Sequence, residues 1–219
     1  INSGFEGWRR ANPDKKMSEF KLELSKMGVS GAVFDMVKLL DVSKNIIARY
    51  SAKEVYDFAN AWAKQYDEEL AKILEDEEYS LKVFGIEREN SKKPRKDLSK
   101  WSEVKNNIIY MYERPESYDF DKIFGEDAKK VITEYLKVYN YDDDKQTWFD
   151  KIKDVAEKLG YAREVKEYKQ NPENWPGHVG DVSTVIRVAL TGRRNTPDMY
   201  EIMQVLGNEE VQERLKKLV

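Results

Sequence analysis

Apolar residues recur along most of this chain with the three-to-four-residue spacing of amphipathic helices. The segment KQTWFDKIKDVAEKLG (145–160) is a clear case, and it ends at a glycine typical of a helix C-cap. SAKEVYDFANAWAKQY begins with a capping box, in which Ser51 and Glu54 each accept from the other's backbone N–H. The segment FKLEL (20–24) alternates apolar and polar residues, which is a weak signal for a short strand. The pattern therefore predicts an all-α fold.

Breaks in the pattern divide the predicted helices into groups. Residues 1–30 are irregular, with Gly, Asn and Pro interrupting the pattern. One or two helices are predicted over 32–50, and further helices over 67–89, 101–112, 126–139, 181–191, 197–206 and 209–218. Proline-containing breaks occur at 90–100 and at 113–121, and the second is the best candidate for a domain boundary. We predict two consecutive helical bundle subdomains preceded by a short irregular segment.

Composition narrows the classes of function. The chain has 219 residues, no cysteine and a net charge of −3, which excludes disulfides and thiol catalysis and argues against non-specific DNA binding. No apolar run approaches the roughly 20 residues that span a bilayer. We expect a cytoplasmic, monomeric chain with no membrane partner. The carboxylates of YDDDK (141–145) precede a helix, so capping is favoured over a divalent-ion site.

The stretch VIRVALTGRRNTPDMYEIMQVLG (185–207) is predicted to form two helices joined by a basic turn. On a helical wheel the apolar side chains of 182–190 cluster within about 140°, with Arg187, Thr191 and Arg194 opposite. Thr196 is typical of an N-cap, with Pro197 at the first helical position. Arginines beside open backbone donors suit a phosphate or a base edge. A solvated face followed by a plain turn explains the same residues, and both readings stay open here.

A second basic segment lies in the break at 90–100. Between residues 92 and 105, six cationic side chains oppose two carboxylates, a local net charge of +4. The cations are Lys92, Lys93, Arg95, Lys96, Lys100 and Lys105. In a chain of negative net charge this segment is a candidate contact for a nucleic-acid backbone; a solvated linker is the alternative. Trp101, Val104, Ile108 and Met111 share a helical face that is more typical of a core stripe than of a base-stacking platform.

Three motifs resemble, in the same order, the C-terminal region of bacterial-type glutamyl-tRNA synthetases. VSTVIRVALTGRRNTPDMYEIMQVLGNEEVQERL is similar to the family's R-x-A-L-T-G helix, its T/S-P turn and the following E-I-x-x-x-L-G-x-E-x-x-x-x-R-L segment. SGAVFDMVKLLDVSKNII resembles the S-x-A-x-F-D-x-x-K-L segment, and KKPRKDLSKWSEV resembles the arginine-bearing turn before a helix of the anticodon domain. Class I lysyl-tRNA synthetases are a related alternative that the ALTG…TP…LG pattern disfavours.

The resemblance implies a fragment of a class I enzyme. Residues 1–50 would be the C-terminal remnant of the stem-contact region, and 51–120 and 121–219 would be the two helical anticodon-binding subdomains. The catalytic Rossmann domain, which carries H-I-G-H-like and K-M-S-K-S-like motifs, has no counterpart in this sequence. The fragment would be catalytically inert and need no cofactor. Its parent would attach glutamate to tRNA with ATP and Mg²⁺, and its partners would be glutamate tRNA and that catalytic domain.

The resemblance also assigns site residues. Arg187, Thr196, Pro197 and Met199 would contact the anticodon, and Arg95 would read its third base. The spacing after Arg95 is one residue shorter than in the family, so Lys93 or Lys96 is an alternative. Auxiliary and backbone contacts are expected from Lys92, Lys93, Lys96, Lys100, Thr191 and Arg194. The rival hypothesis from another class is a helical protein-interaction scaffold, which predicts no cluster uniting Arg187, Arg95 and the terminal turn.

Overall fold

Helices form nearly all of the regular structure in the computed structural model, which describes residues 4–27, 35–88 and 95–219. No strand occurs within these ranges, although Ala162 and His178 form a parallel β-bridge. The all-α prediction is therefore confirmed. The FKLEL segment is irregular up to Glu23 and then enters a 3₁₀ turn, Leu24–Lys26. None of the described helices is both long and apolar enough to cross a membrane.

The α-helices are numbered in chain order. They are α1 (Phe5–Ala11), α2 (Met36–Ile47), α3 (Ala52–Tyr66), α4 (Glu68–Ile73), α5 (Glu77–Gly85), α6 (Val104–Ile108), α7 (Gly125–Val138), α8 (Lys145–Lys158), α9 (Val165–Gln170), α10 (Val179–Thr191), α11 (Met199–Leu206) and α12 (Asn208–Lys216). The chain separates into two compact units, residues 1–39 and 40–219.

The first unit is held together by aromatic rings. Phe5 and Trp8 of α1 both contact Phe20, with ring centroids 5.1 and 5.4 Å apart. Phe5 and Trp8 are also stacked on each other at 6.2 Å. These contacts pack α1 against Phe20, because each ring removes apolar area from water.

Helix starts in the second unit follow the capping rules. The Glu54 N–H donates to Ser51 Oγ at 3.2 Å and the Ser51 N–H donates to Glu54 Oε2 at 2.8 Å, so the predicted capping box of α3 is confirmed. Asp144 caps α8 by accepting the Thr147 N–H at 2.8 Å, which confirms the capping role of the YDDDK carboxylates. No group of His, Asp and Glu able to hold a metal ion occurs among the described residues.

The buried side chains of 40–219 form two hydrophobic clusters. The first joins α3, α4 and α5 to residues 98–111, and the second joins α7, α8, α10 and α12. Val104, Ile108 and Met111 are buried in the first cluster, which confirms the predicted core stripe, and Trp101 is partly buried against it. The clusters lie on either side of the predicted boundary near residue 120; the subdomain division itself stays a prediction.

Helix α11 belongs to both clusters. Its Ile202 packs in the first, whereas Met199 and Met203 pack in the second. Leu206 contacts both. The start of α11, which carries the predicted site residues, is therefore held where the two clusters meet.

A buried arginine ties α12 to the rest of this unit. Arg214 is 2% exposed, and its Nη1 donates to Tyr110 O at 2.6 Å and to Leu190 O at 2.7 Å. Its Nε donates to Glu210 Oε1 at 2.7 Å, so the charge is paired as well as hydrogen-bonded. Such pairing is what permits an ionised side chain inside a core.

Gly192 ends α10 in a left-handed conformation, with φ of 71°. A Cβ at this position would lie 3.0 Å from both Pro115 Cβ and Ser117 O. Glycine is therefore required twice over, by the backbone angle and by the close approach of 115–117. The chain consequently leaves the helical path here, before Arg193 and Arg194.

Candidate nucleic-acid interface

A cleft of about 440 Å³ opens between two segments that are far apart in sequence. One wall is the turn between α10 and α11, and the other includes Arg95, Lys96 and Asp97 of the basic segment. Its lining residues are Glu87, Arg95, Lys96, Asp97, Asn107, Tyr110, Arg193, Asn195, Thr196 and Pro197. The fold thus brings Arg95 and Lys96 to the same cleft as Thr196 and Pro197, as the resemblance predicted.

Arg187 holds the turn instead of lying open on the helix surface. Its Nη1 donates to Thr196 Oγ1 at 2.7 Å, to Pro197 O at 2.9 Å and to Thr196 O at 3.2 Å. Burial lowers the pKa of the Arg187 guanidinium. The wheel placed Arg187 on the exposed face, and this is corrected: the side chain is partly buried and fixes the shape of the Thr196–Pro197 turn.

The cap of α11 is Asp198, so the prediction of Thr196 as N-cap is wrong. Asp198 Oδ1 accepts the Glu201 N–H at 3.0 Å, and α11 begins only at Met199. Pro197 therefore precedes the helix and is buried in the turn. Asp198 Oδ2 also pairs with Lys145 Nζ at 2.7 Å. A carboxylate occupies the helix terminus, which disfavours a phosphate there.

Of the two adjacent arginines in the turn, Arg193 lines the cleft and Arg194 does not. Arg193 Nη2 donates to Asn106 Oδ1 at 3.0 Å, and its guanidinium lies 5.3 Å from the centre of the Tyr110 ring. Arg194 instead pairs with Asp119 and Asp121, at 3.3 and 3.1 Å. The wheel continued α10 past Gly192, where the chain in fact turns, and so selected the wrong neighbour.

Two predicted contact residues besides Pro197 are buried. Thr191 is 2% exposed and its hydroxyl donates to Arg187 O at 2.7 Å, so the wheel's placement of this hydroxyl on the open face is wrong. Met199 is also 2% exposed and packs in the second hydrophobic cluster. Thr191 supports the turn from within. Met199 lines the neighbouring cavity described below.

The basic segment contributes unequally to the cleft. The Arg95 guanidinium pairs with the Asp97 carboxylate, and both line the cleft with Lys96. Lys100 is not among the lining residues and lies 3.7 Å from a Glu103 oxygen. Lys105 pairs with Glu69. Lys92 and Lys93 lie outside the described residues. Within the described part, Lys96 has no ion-pair partner and is exposed.

A second, more apolar cavity of about 690 Å³ lies on the other side of the turn. Trp148, Phe149 and Met199 line it together with Arg187. Ser183 and Thr184 add hydroxyl groups. Because Arg187 bonds the turn and also lines this cavity, it lies between the two spaces. An apolar wall with a few polar groups suits a flat, partly polar ligand.

Tyr110 gives the cleft an uncharged phenol. Burial raises the pKa of the Tyr110 phenol to about 12. The ring is 6% exposed and its face meets the Arg193 guanidinium, a cation–π arrangement that orients the arginine. Asn107 lies beside it, with Nδ2 donating to Glu103 O at 3.0 Å.

Sequence reasoning missed six of the ten lining residues: Glu87, Asp97, Asn107, Tyr110, Arg193 and Asn195. The arginine carried a signal, since the glycine before it marks the helix end and makes the wheel invalid beyond that point. Tyr110 lies in the predicted helix 101–112 but is not part of its predicted core stripe. Glu87 and Asn107 carried no pattern, because their position depends on how α5 and α6 pack against α11.

Comparison with known families identifies the class to which this site belongs. Residues 177–219, which include α10, the turn, α11 and α12, match the family model described as an anticodon binding domain. The fold and the site therefore define a helical protein with an anticodon-binding domain.

Similarity to curated proteins extends over the whole chain. It is 47% identical over 227 residues to a glutamate–tRNA ligase of Clostridium perfringens and 45% identical over 224 residues to one of Acetivibrio thermocellus. A glutamate–tRNA ligase of Sorangium cellulosum is 42% identical over 224 residues. Each match covers 100% of this chain but only 41%, 41% and 39% of the relative. The chain is therefore similar over its whole length to the C-terminal part of glutamate–tRNA ligases, and it spans about two fifths of the length of these relatives.

Proposed function

We propose that this chain is the part of a glutamate–tRNA ligase that binds the anticodon arm of glutamate tRNA. Attachment of glutamate, with ATP and Mg²⁺, would take place in the part of the relatives that lies outside the match. The function of this chain is recognition.

The cleft carries the proposal. Donors from two distant segments, Arg95 and Arg193, line one space with the Thr196–Pro197 turn. Single-stranded RNA is read by splaying bases out and meeting their edges with hydrogen-bonding groups and their faces with planar side chains. The protein-interaction scaffold predicts these groups on separate surfaces, so the shared cleft supports RNA binding.

The two cavities differ in chemistry, so we propose that they bind different parts of the RNA. The cleft offers charged donors and acceptors, which suit a base edge and the phosphate beside it. The neighbouring cavity offers Trp148, Phe149 and Met199 as a wall for a base face, with Arg187 at its edge. Arg95 is our candidate reader of the third anticodon base, since a guanidinium makes two parallel hydrogen bonds.

The test compares two adjacent arginines in the same turn. Binding of a fluorescent anticodon stem-loop of glutamate tRNA to residues 1–219 is measured by anisotropy at low salt. Losing one bidentate base contact costs about 1–3 kcal/mol in DNA complexes, so we expect Arg193→Ala to weaken binding about tenfold or more. Arg194→Ala removes the same charge outside the cleft and is expected to have a smaller effect.

Several results would contradict the proposal. Equal losses in the two variants would indicate non-specific attraction of RNA by net charge. An affinity unchanged in Arg193→Ala would remove the cleft from the binding surface. A stem-loop with exchanged anticodon bases that binds as tightly as the cognate one would refute base readout, and failure of the wild-type chain to bind any stem-loop would refute the proposal altogether.

A further inference from the structure

Glu87 occupies an unusual backbone position between α5 and the basic segment. Its φ is 51°, the one positive value among the described residues other than glycine. A side chain in the left-handed region is uncommon and is kept only where its surroundings determine it. The residue also lines the cleft, eight positions before Arg95 in the sequence.

Two hydrogen bonds connect Glu87 to the start of α11. The Glu87 N–H donates to Glu201 Oε2 at 2.8 Å, and Glu87 Oε2 accepts the Asp198 N–H at 3.0 Å. Asp198 in turn accepts the Glu201 N–H at 3.0 Å. The three residues therefore form a closed set of bonds, in which Glu87 donates through its backbone N–H and accepts through its carboxylate.

The residue next to Glu87 is anchored in the other direction. Arg88 Nη1 donates to Ile47 O at 2.9 Å and to Tyr50 O at 3.2 Å, at the corner between α2 and α3. Its Nε donates to Phe84 O at 3.1 Å. Residues 87 and 88 thus connect the start of α11 to the corner between α2 and α3.

We infer that Glu87 is a positioning residue that sets the separation between Arg95 and the Thr196–Pro197 turn. Arg187 holds this turn from the side of α10, and Glu87 holds the next residue, Asp198, from the side of α5. The two walls of the cleft come from segments far apart in sequence. The bond between Glu87 and Asp198 joins these segments and so fixes the width of the cleft. The consequence for RNA rests on the proposed function; the consequence for the turn does not.

The experiment uses three variants of residues 1–219. Glu87→Gly keeps the left-handed backbone without steric cost and removes the carboxylate. Glu87→Gln keeps an oxygen that accepts the Asp198 N–H. Glu75→Gly, in the exposed turn between α4 and α5, removes the same charge away from the cleft. Hydrogen exchange of the peptide covering 193–199 and anisotropy with the anticodon stem-loop are measured for each.

We expect faster exchange at Asp198 and about tenfold weaker RNA binding in Glu87→Gly, equivalent to about 1.4 kcal/mol. Glu87→Gln and Glu75→Gly should match the wild type within about twofold, far below the tenfold step. Adding Arg95→Ala should then cost less affinity in the Glu87→Gly background than in the wild type, because the cleft is already misaligned.

Unchanged exchange in Glu87→Gly overturns the inference. So does a Glu87→Gln variant that behaves like Glu87→Gly, since charge rather than the hydrogen bond would then matter, and so does strict additivity with Arg95→Ala. If the wild-type chain binds no RNA, the proposed function fails, while the exchange measurement still decides whether Glu87 holds the turn.

Discussion

Arg214 provides a quantitative test of how the second unit is held together. The perturbation is Arg214→Met, which keeps an unbranched side chain of similar length and removes every donor. Tyr110 O and Leu190 O, which accept from Nη1 at 2.6 and 2.7 Å, are left in the core without this partner. Glu210 loses its bond to Nε but keeps its contact with Arg114.

The magnitude follows from these bonds. A hydrogen bond to a charged group contributes about 1.5–3 kcal/mol, and removing one partner of a buried ionic group costs about 3–5 kcal/mol. The two carbonyl bonds alone would give about 3–6 kcal/mol, and the cost of desolvating the guanidinium in the wild type reduces this sum. We therefore expect the free energy of unfolding to fall by about 3–5 kcal/mol, out of the roughly 5–15 kcal/mol typical of a domain.

The assay is urea unfolding followed by fluorescence and circular dichroism, with Arg114→Met as the matched control. Arg114 contacts the same Glu210 and also Glu213, but its side chain is 44% exposed. Solvent screens such a pair, so the control should unfold close to the wild-type midpoint. An unchanged m-value would show that the comparison concerns stability and not a change of mechanism.

A result within about 1 kcal/mol of the wild type for Arg214→Met would refute the reasoning, because it is the size of an ordinary surface substitution. So would equal destabilisation by the two variants. Either outcome would mean that water or a shifted backbone satisfies the carbonyls when the guanidinium is gone.

Two further predictions follow from the turn and from the buried phenols. Gly192→Ala should lower the free energy of unfolding by more than about 1 kcal/mol, because φ is 71° and the new Cβ would meet Pro115 and Ser117; a wild-type melting temperature would contradict this. Burial raises the pKa of Tyr110 and of Tyr112 to about 12, from an ordinary value of 10.0. The stability this contributes is complete below pH 10 and is lost as the pH rises to about 12, so unfolding midpoints should fall and tyrosinate absorbance should appear in that window; midpoints that stay constant there would contradict it.

Local rules predicted the parts of the fold that local interactions determine. The Ser51 capping box, the Asp144 cap and the buried face of residues 104–111 all depend on residues within a few positions of each other, and all three were confirmed. The same rules selected Thr196 as a cap because it precedes a proline. Asp198 has the stronger acceptor at the position where the helix actually starts, and that choice depends on the bond from Asp198 N–H to Glu87.

The candidate site was predictable in part. The resemblance predicted Arg95 close to Thr196 and Pro197, and the three line one cleft, although composition and periodicity alone favoured a solvated turn. It did not reveal that Arg187 bonds the turn from beneath, or that Arg193 takes the place expected for Arg194. These facts depend on the reversal of the chain at Gly192. Glu87 was beyond reach, since nothing in its neighbours indicates a left-handed glutamate.

The sharing of α11 by both hydrophobic clusters bears on how the molecule tolerates being divided. If the polypeptide were severed near residue 120, the later half would keep Met199 and Met203 covered but would bare Ile202 and Val205, which pack on the earlier half. The earlier half would lose the same contacts. Each piece would therefore expose apolar side chains that the other covers in the intact chain, so we expect the two pieces to associate.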